Sequence, residues 1–154
     1  MHTGYLTRGG LLLGTLLIAT VSACAHGTVP WMTSGGDVMV APSAETLIGT
    51  EWTLTELGGH GVLDYAEATL RFPEFDKVAG NGSCNRFTGT VEMSGETFNV
   101  SPLSTTRRVC PAPIMAQEIK YLQALEDADR IVMDGTDLLI YTPVSEYPLH
   151  FVRR

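Results

Sequence analysis

The sequence predicts an α+β domain: a curled antiparallel β-sheet, shaped as a partly open barrel and packed by one α-helix. Three observations carry that expectation. From Leu47 onward short apolar–polar alternations recur, which is the period of strands with one buried face. Gly, Asn, Asp and Pro break these alternations at short intervals, as turns require. A single segment, residues 114–128, instead follows the three-to-four spacing of a helix.

Taken along the chain, Trp52 and Leu54 alternate with Glu51, Thr53 and Thr55. Ala68, Leu70 and Phe72 alternate with Thr69 and Arg71. Phe87, Gly89, Val91 and Met93 share a face opposite Arg86, Thr88, Thr90 and Glu92, and Phe98 and Val100 alternate with Asn99 and Ser101. Three further runs close the chain: Ile131–Met133, Leu138–Thr142 and Leu149–Val152. Ser94-Gly95 and Asp134-Gly135 read as hairpin turns in which glycine supplies positive φ. In the helical segment Met115, Ile119, Leu122 and Leu125 gather on one face, leaving Gln117, Lys120, Gln123 and Glu126 outside it. Pro111 and Pro113 suit a helix start. Such a helix covers one face or plugs the open end of the sheet, and wrapping the sheet protects its edges.

The 154 residues carry ten Lys+Arg against seventeen Asp+Glu, a formal charge of −7. That balance excludes a nucleic-acid binder, which needs a basic face to displace counterions. With 44% hydrophobic and 18% charged residues the chain is too apolar to be disordered.

Residues 1–23 read as a signal peptide. Arg8 supplies a positive n-region and no acid precedes Asp37. The apolar run Leu11–Val21 would rise only about 16 Å as a helix, half a hydrocarbon core. It suits an h-region and not a transmembrane span. Val21-Ser22-Ala23-Cys24 resembles the bacterial lipobox, whose cysteine thiol takes a diacylglyceryl group. An ordinary cleavage site is the competing reading. Cys24 is therefore the expected lipidation site, and the protein is expected to be exported and anchored to the cell envelope. In a Gram-negative host that would be the outer membrane, facing the periplasm, because Ala25 and not Asp follows the cysteine. Residues 24–46 read as a flexible tether, averaging about 26 Å as a coil. Its Trp31, Met32, Val38, Met39 and Val40 are more apolar than a spacer needs. Residues 47–154 form the domain.

Three cysteines are an odd count for an exported protein. Giving Cys24 to lipid leaves Cys84 and Cys110 as a pair, either a disulfide or two buried thiols. A bridge would close about 26 residues and contribute about 3.5 kcal/mol. His60 and His150 have no ligand-like spacing to either cysteine, so no metal site is assigned.

Gly80-Asn-Gly-Ser-Cys84-Asn85-Arg86-Phe87-Thr-Gly89 follows Trp52-Thr-Leu, and precedes Thr105-Thr106-Arg107-Arg108-Val-Cys110, Glu118 and Leu149-His-Phe151. This order resembles the META domain, also called the HslJ-like domain, over roughly residues 47–154. The resemblance implies a curled antiparallel sheet packed by a helix, often in lipid-anchored or secreted envelope proteins. Some members are associated with heat-shock induction and novobiocin tolerance, and neither a catalytic activity nor a ligand comes with the family. Gly80, Gly82 and Gly89 read as turn or close-packing glycines, since this stretch opens a strand and no helix N-terminus faces it. Asn85 is expected to satisfy loop backbone groups. Arg86, Arg107 and Arg108 form either a structural ion pair with Glu118 or a basic binding lip for an anionic partner.

The function these features favour is that of a non-enzymatic envelope lipoprotein, tied to the membrane through Cys24 and binding an envelope protein or small apolar ligand. The alternative is a carrier holding an acyl chain in the curled sheet. Ser83, Ser104, His60, His150 and Asp64 permit a hydrolase, without a supporting motif such as Gly-x-Ser-x-Gly. A protease inhibitor is a further binding option. No catalytic residue and no cofactor is assigned.

Overall fold

Alternation in the sequence becomes a buried and a wet face in the sheet. The computed structural model describes residues 38–154; residues 1–37, with the signal segment, Cys24 and most of the expected tether, lie outside the described residues. The elements run β1 (Met39–Val40), α1 (Ala44–Leu47), β2 (Glu51–Leu57), β3 (His60–Gly61), β4 (Thr69–Arg71), β5 (Lys77–Asn81), β6 (Arg86–Ser94) and β7 (Thr97–Val100). They continue with β8 (Ser104–Thr105), α2 (Ala112–Glu126), β9 (Arg130–Asp134), β10 (Asp137–Tyr141) and β11 (Leu149–Arg153). In β6 Phe87 and Val91 are buried while Thr88, Thr90 and Glu92 are exposed, and its partner β7 buries Phe98 and Val100. Gly95 and Gly135 take φ of 59° and 58° in the two expected hairpin turns.

All pairings are antiparallel, in the order β9–β10–β11–β2–β4–β5–β6–β7, and β7 returns to β9. That last seam holds one residue pair, Thr97 with Arg130. Backbone bonds from Ile131 N to Glu96 O (2.8 Å) and Phe98 N to Asp129 O (3.0 Å) flank it. The sheet thus closes in a ring without being a true barrel. At the other end of β9, Met39 and Val40 pair with Asp134 and Met133 and cover the remaining edge. The stretch expected to be tether up to Thr46 therefore ends as a strand and as α1, whose N-cap is the Ser43 side chain.

The ring is filled, not hollow. Trp52, Phe87, Phe98, Tyr121 and Phe151 are all buried, together with Leu70, Leu125, Leu138 and Ile140. Tyr121 of α2 lies 5.9 Å from the Phe87 ring and 6.1 Å from that of Phe151, so the helix lies against the sheet's inner face. Each aromatic pair contributes about 0.5–1.5 kcal/mol beyond burial. An acyl chain expected inside the curled sheet would meet these side chains.

The helix occupies the expected segment, but its buried face is rotated. Gln117, Glu118, Tyr121 and Leu125 face inward, while Ile119 is 61% exposed. Polar side chains win the inner face because they have donors and acceptors to satisfy there. Tyr121 Oη, for example, donates to Thr69 O at 3.1 Å.

Gly80 lies between Leu70 of β4 and Phe87 of β6, and a Cβ there would overlap Thr69 O and press on the Phe87 ring. Gly80→Ala is expected to lose about 1–3 kcal/mol or more in denaturant unfolding; unchanged stability would contradict the β4–β5 approach. Burial also holds the Tyr121 phenol well above its ordinary 10.0. The unfolded chain then releases that proton first, so stability is intact below about pH 10 and falls as pH rises beyond it. Tyr121→Phe should make that fall shallower in denaturant midpoints measured across the alkaline range, while costing about 1 kcal/mol at neutral pH.

Candidate functional site

Between β5 and β6 the chain makes a tight loop, residues 82–85, that α2 holds from inside. Gly82 N donates to Asn85 O at 2.7 Å, and Ser83 sits at φ 107°, the one positive φ of a non-glycine residue among the described residues. Such a backbone persists only when its surroundings fix it. Gln117 Nε2 donates to Ser83 Oγ and to Ala66 O, both at 2.8 Å, and its Oε1 accepts from Leu63 N at 2.7 Å. Glu118, 5% exposed, accepts from Cys84 N (3.0 Å) and Asn85 N on Oε2, and from Asn85 Nδ2 (2.7 Å) on Oε1. A Cβ on Gly82 would stand 2.9 Å from Glu118 Oε2, so glycine makes room for the carboxyl.

This corrects one expectation. Glu118 pairs with no arginine among the described residues; its partners are N–H donors of the loop. Three such bonds offset the cost of burying the group, a task a mobile surface arginine would do less well. Asn85 passes the restraint outward. Its Oδ1 accepts from Arg108 N (2.7 Å) and Thr106 Oγ1 (2.9 Å), and its Nδ2 also donates to Arg108 O (3.3 Å). Cys84 and Cys110 form a disulfide with Cα atoms 6.1 Å apart, fastening the same loop to the segment just before α2.

The held segments wall a groove of about 810 Å³ on the outer side of the sheet. Arg71, Arg86, Arg108 and Arg154 line it, with Glu51, Glu67, Asn81 and the disulfide. Arg154 lies 3.3 Å from Glu51 and 3.5 Å from Glu67. Arg71, Arg86 and Arg108 have no acid within 4 Å among the described residues. Of the basic lip expected from sequence, Arg86 and Arg108 thus meet in this groove, whereas Arg107 does not line it. Arg71 and Arg154 were missed; for Arg71 the signal was its outward place in an alternating strand.

The remaining candidates are scattered. His60 is exposed on β3, and His150 Nε2 lies 2.8 Å from Asp137 Oδ2, with Glu56 4.0 Å from its Nδ1. Ser83 Oγ is taken by Gln117, while Ser104 and Asp64 are exposed. A second, smaller groove of about 380 Å³ runs past Leu57, Ile119, Ala124, Val144, Tyr147 and Leu149.

With that geometry in place, the META domain signature matches residues 45–154. The chain belongs to the META domain family. Its fold is shared with solved structures of low identity. An NMR structure of a protein from Burkholderia xenovorans is 23% identical with a TM-score of 0.60, the match covering 73% of this chain and 86% of that one. A second NMR structure is 21% identical at TM-score 0.60, covering 72% and 94%. No curated protein matches the chain.

In this META domain the loop latch is expected to dominate stability around the groove. Cys84→Ser or Cys110→Ser should cost about 2–5 kcal/mol in denaturant unfolding. Glu118→Ala, which strips three N–H groups of their acceptor, should cost a comparable amount, about 3 kcal/mol. A Glu118→Ala variant as stable as the parent would contradict the latch.

Proposed function

We propose that this META domain protein is a non-enzymatic envelope lipoprotein, anchored through Cys24, whose arginine-lined groove holds a partner at the membrane surface. The observation that carries the reading is the groove itself: three arginines with no acid within 4 Å among the described residues, walled by a disulfide. The disulfide points to an oxidising, extracytoplasmic compartment. The Val21-Ser22-Ala23-Cys24 segment supports export with lipid attachment. Association with envelope stress or antibiotic tolerance follows from family resemblance and belongs to the same proposal.

The apolar-carrier reading moves to the smaller groove, where exposed Ile119, Val144 and Tyr147 offer a surface the filled ring does not. Co-purifying apolar ligand in native mass spectrometry would favour it.

Cys24→Ser is expected to abolish incorporation of labelled palmitate, because an alcohol cannot form the thioether. A labelled serine variant would refute lipid attachment at this residue. In a Gram-negative host the parent protein should fractionate with the outer membrane; recovery solely with the inner membrane would refute that sorting.

A further inference from the structure

We infer that the arginine-lined groove is a binding site for a phosphate ester, carried either by a small soluble molecule or by a lipid headgroup. The inference deepens the docking reading above and rests on it, by assigning the chemistry of what is held.

Charge placement comes first. The protein stands at −7, yet four arginines and two acids line this groove, leaving it with a surplus of positive charge. Outside the groove Lys77 lies 3.2 Å from Asp76, and Arg130 lies 3.7 Å from Glu96 with its guanidinium 3.8 Å over the Tyr141 ring, whereas Arg107 and Lys120 stand singly on the surface and not in a cluster. Arg71, Arg86 and Arg108 reach the groove from β4, β6 and the segment before α2, three separate stretches of chain. Like charges brought together from separate elements repel one another unless an anion sits among them.

The kind of anion follows from donor chemistry and size. A guanidinium presents a planar fork of N–H donors, and one or two such forks saturate a carboxylate's two oxygens. Three arginines suit a phosphate monoester, whose three terminal oxygens and double charge accept more donors. A volume of about 810 Å³ exceeds what a bare phosphate fills and falls within the range of sites for small organic ligands. The scaffold is preformed: Asn85 fixes both the N–H and the C=O of Arg108, and Arg86 N donates to Thr106 Oγ1 at 3.2 Å. Val109, 97% exposed, lies in sequence between Arg108 and Cys110, which line the groove, and is an apolar side chain that a lipid surface would cover.

Arginine modification by phenylglyoxal, followed residue by residue with mass spectrometry, tests this on the full-length protein at low salt, where screening is weakest. One arm adds sn-glycerol 3-phosphate, with glycerate at equal concentration as the carboxylate control. The other compares protein reconstituted in phosphatidylcholine vesicles with protein in vesicles that also contain phosphatidic acid, whose headgroup is a phosphate monoester. Modification of Arg71, Arg86 and Arg108 is expected to slow with glycerol 3-phosphate or with phosphatidic acid, while Arg130 keeps its rate. Protection in the soluble arm alone assigns a free ligand; protection in the vesicle arm alone assigns a headgroup. Arg86→Gln should raise the concentration for half-protection of Arg71 and Arg108 by about tenfold or more, the worth of one charge-assisted bond. Unchanged rates in both arms, equal protection by glycerate, or uniform slowing of every arginine would overturn the phosphate assignment. Capture of a crosslinked envelope partner through the groove despite such a result would leave the docking reading standing, so the two fail separately.

Discussion

A buried glutamate that faces N–H groups in place of a cation governs the working side of this molecule. Glu118 lies inside the protein with both oxygens turned to Cys84 and Asn85. A buried acid left without donors would cost several kcal/mol, so the loop must adopt the turn that presents them. The same requirement sets the rotation of α2 about its axis. With Gln117, Glu118 and Tyr121 committed inward, Ile119 is turned to the surface, and the smaller apolar groove exists because of that trade.

From the loop the restraint spreads to the groove. Asn85 is held by Glu118 on one side and grips the backbone of Arg108 on the other. The disulfide repeats that connection covalently, joining Cys84 to Cys110 two residues beyond Arg108. Two independent ties on one short segment give the groove a fixed wall. Its floor is the outer face of β4 and β5, where Thr69 and Asn81 stand opposite each other. Because aromatic side chains and α2 fill the inner face, recognition is left to the outside of the sheet.

Much of this architecture is legible in the letters, for identifiable reasons. Strands with one buried face announce themselves by alternation, as in Arg86–Met93. β5 does not, because Val78, Ala79 and Gly80 are all buried and two of them are small. β1, β3 and β8 are two-residue strands, too short to show alternation, and β1 and β8 pair with β9 and β6 well away in sequence. The helix was readable as a helix, but its inner face was assigned by apolarity alone, and hydrogen-bonding demand overruled that ranking. Parity of the cysteines pointed to the Cys84–Cys110 pair. The arginine lip was half legible: adjacency in sequence drew in Arg107, while bringing Arg71 beside Arg86 needs the register of three strands.

Amide hydrogen exchange at Cys84 and Asn85 tests the central claim most directly. Both N–H groups end on a buried carboxyl, so their opening requires α2 to leave the loop. The account predicts protection comparable to that of the β5–β6 ladder, far above the exposed strand β3. Exchange at Cys84 and Asn85 as rapid as at His60 would show that Glu118 does not hold the loop, and the wall of the groove would lose its physical basis.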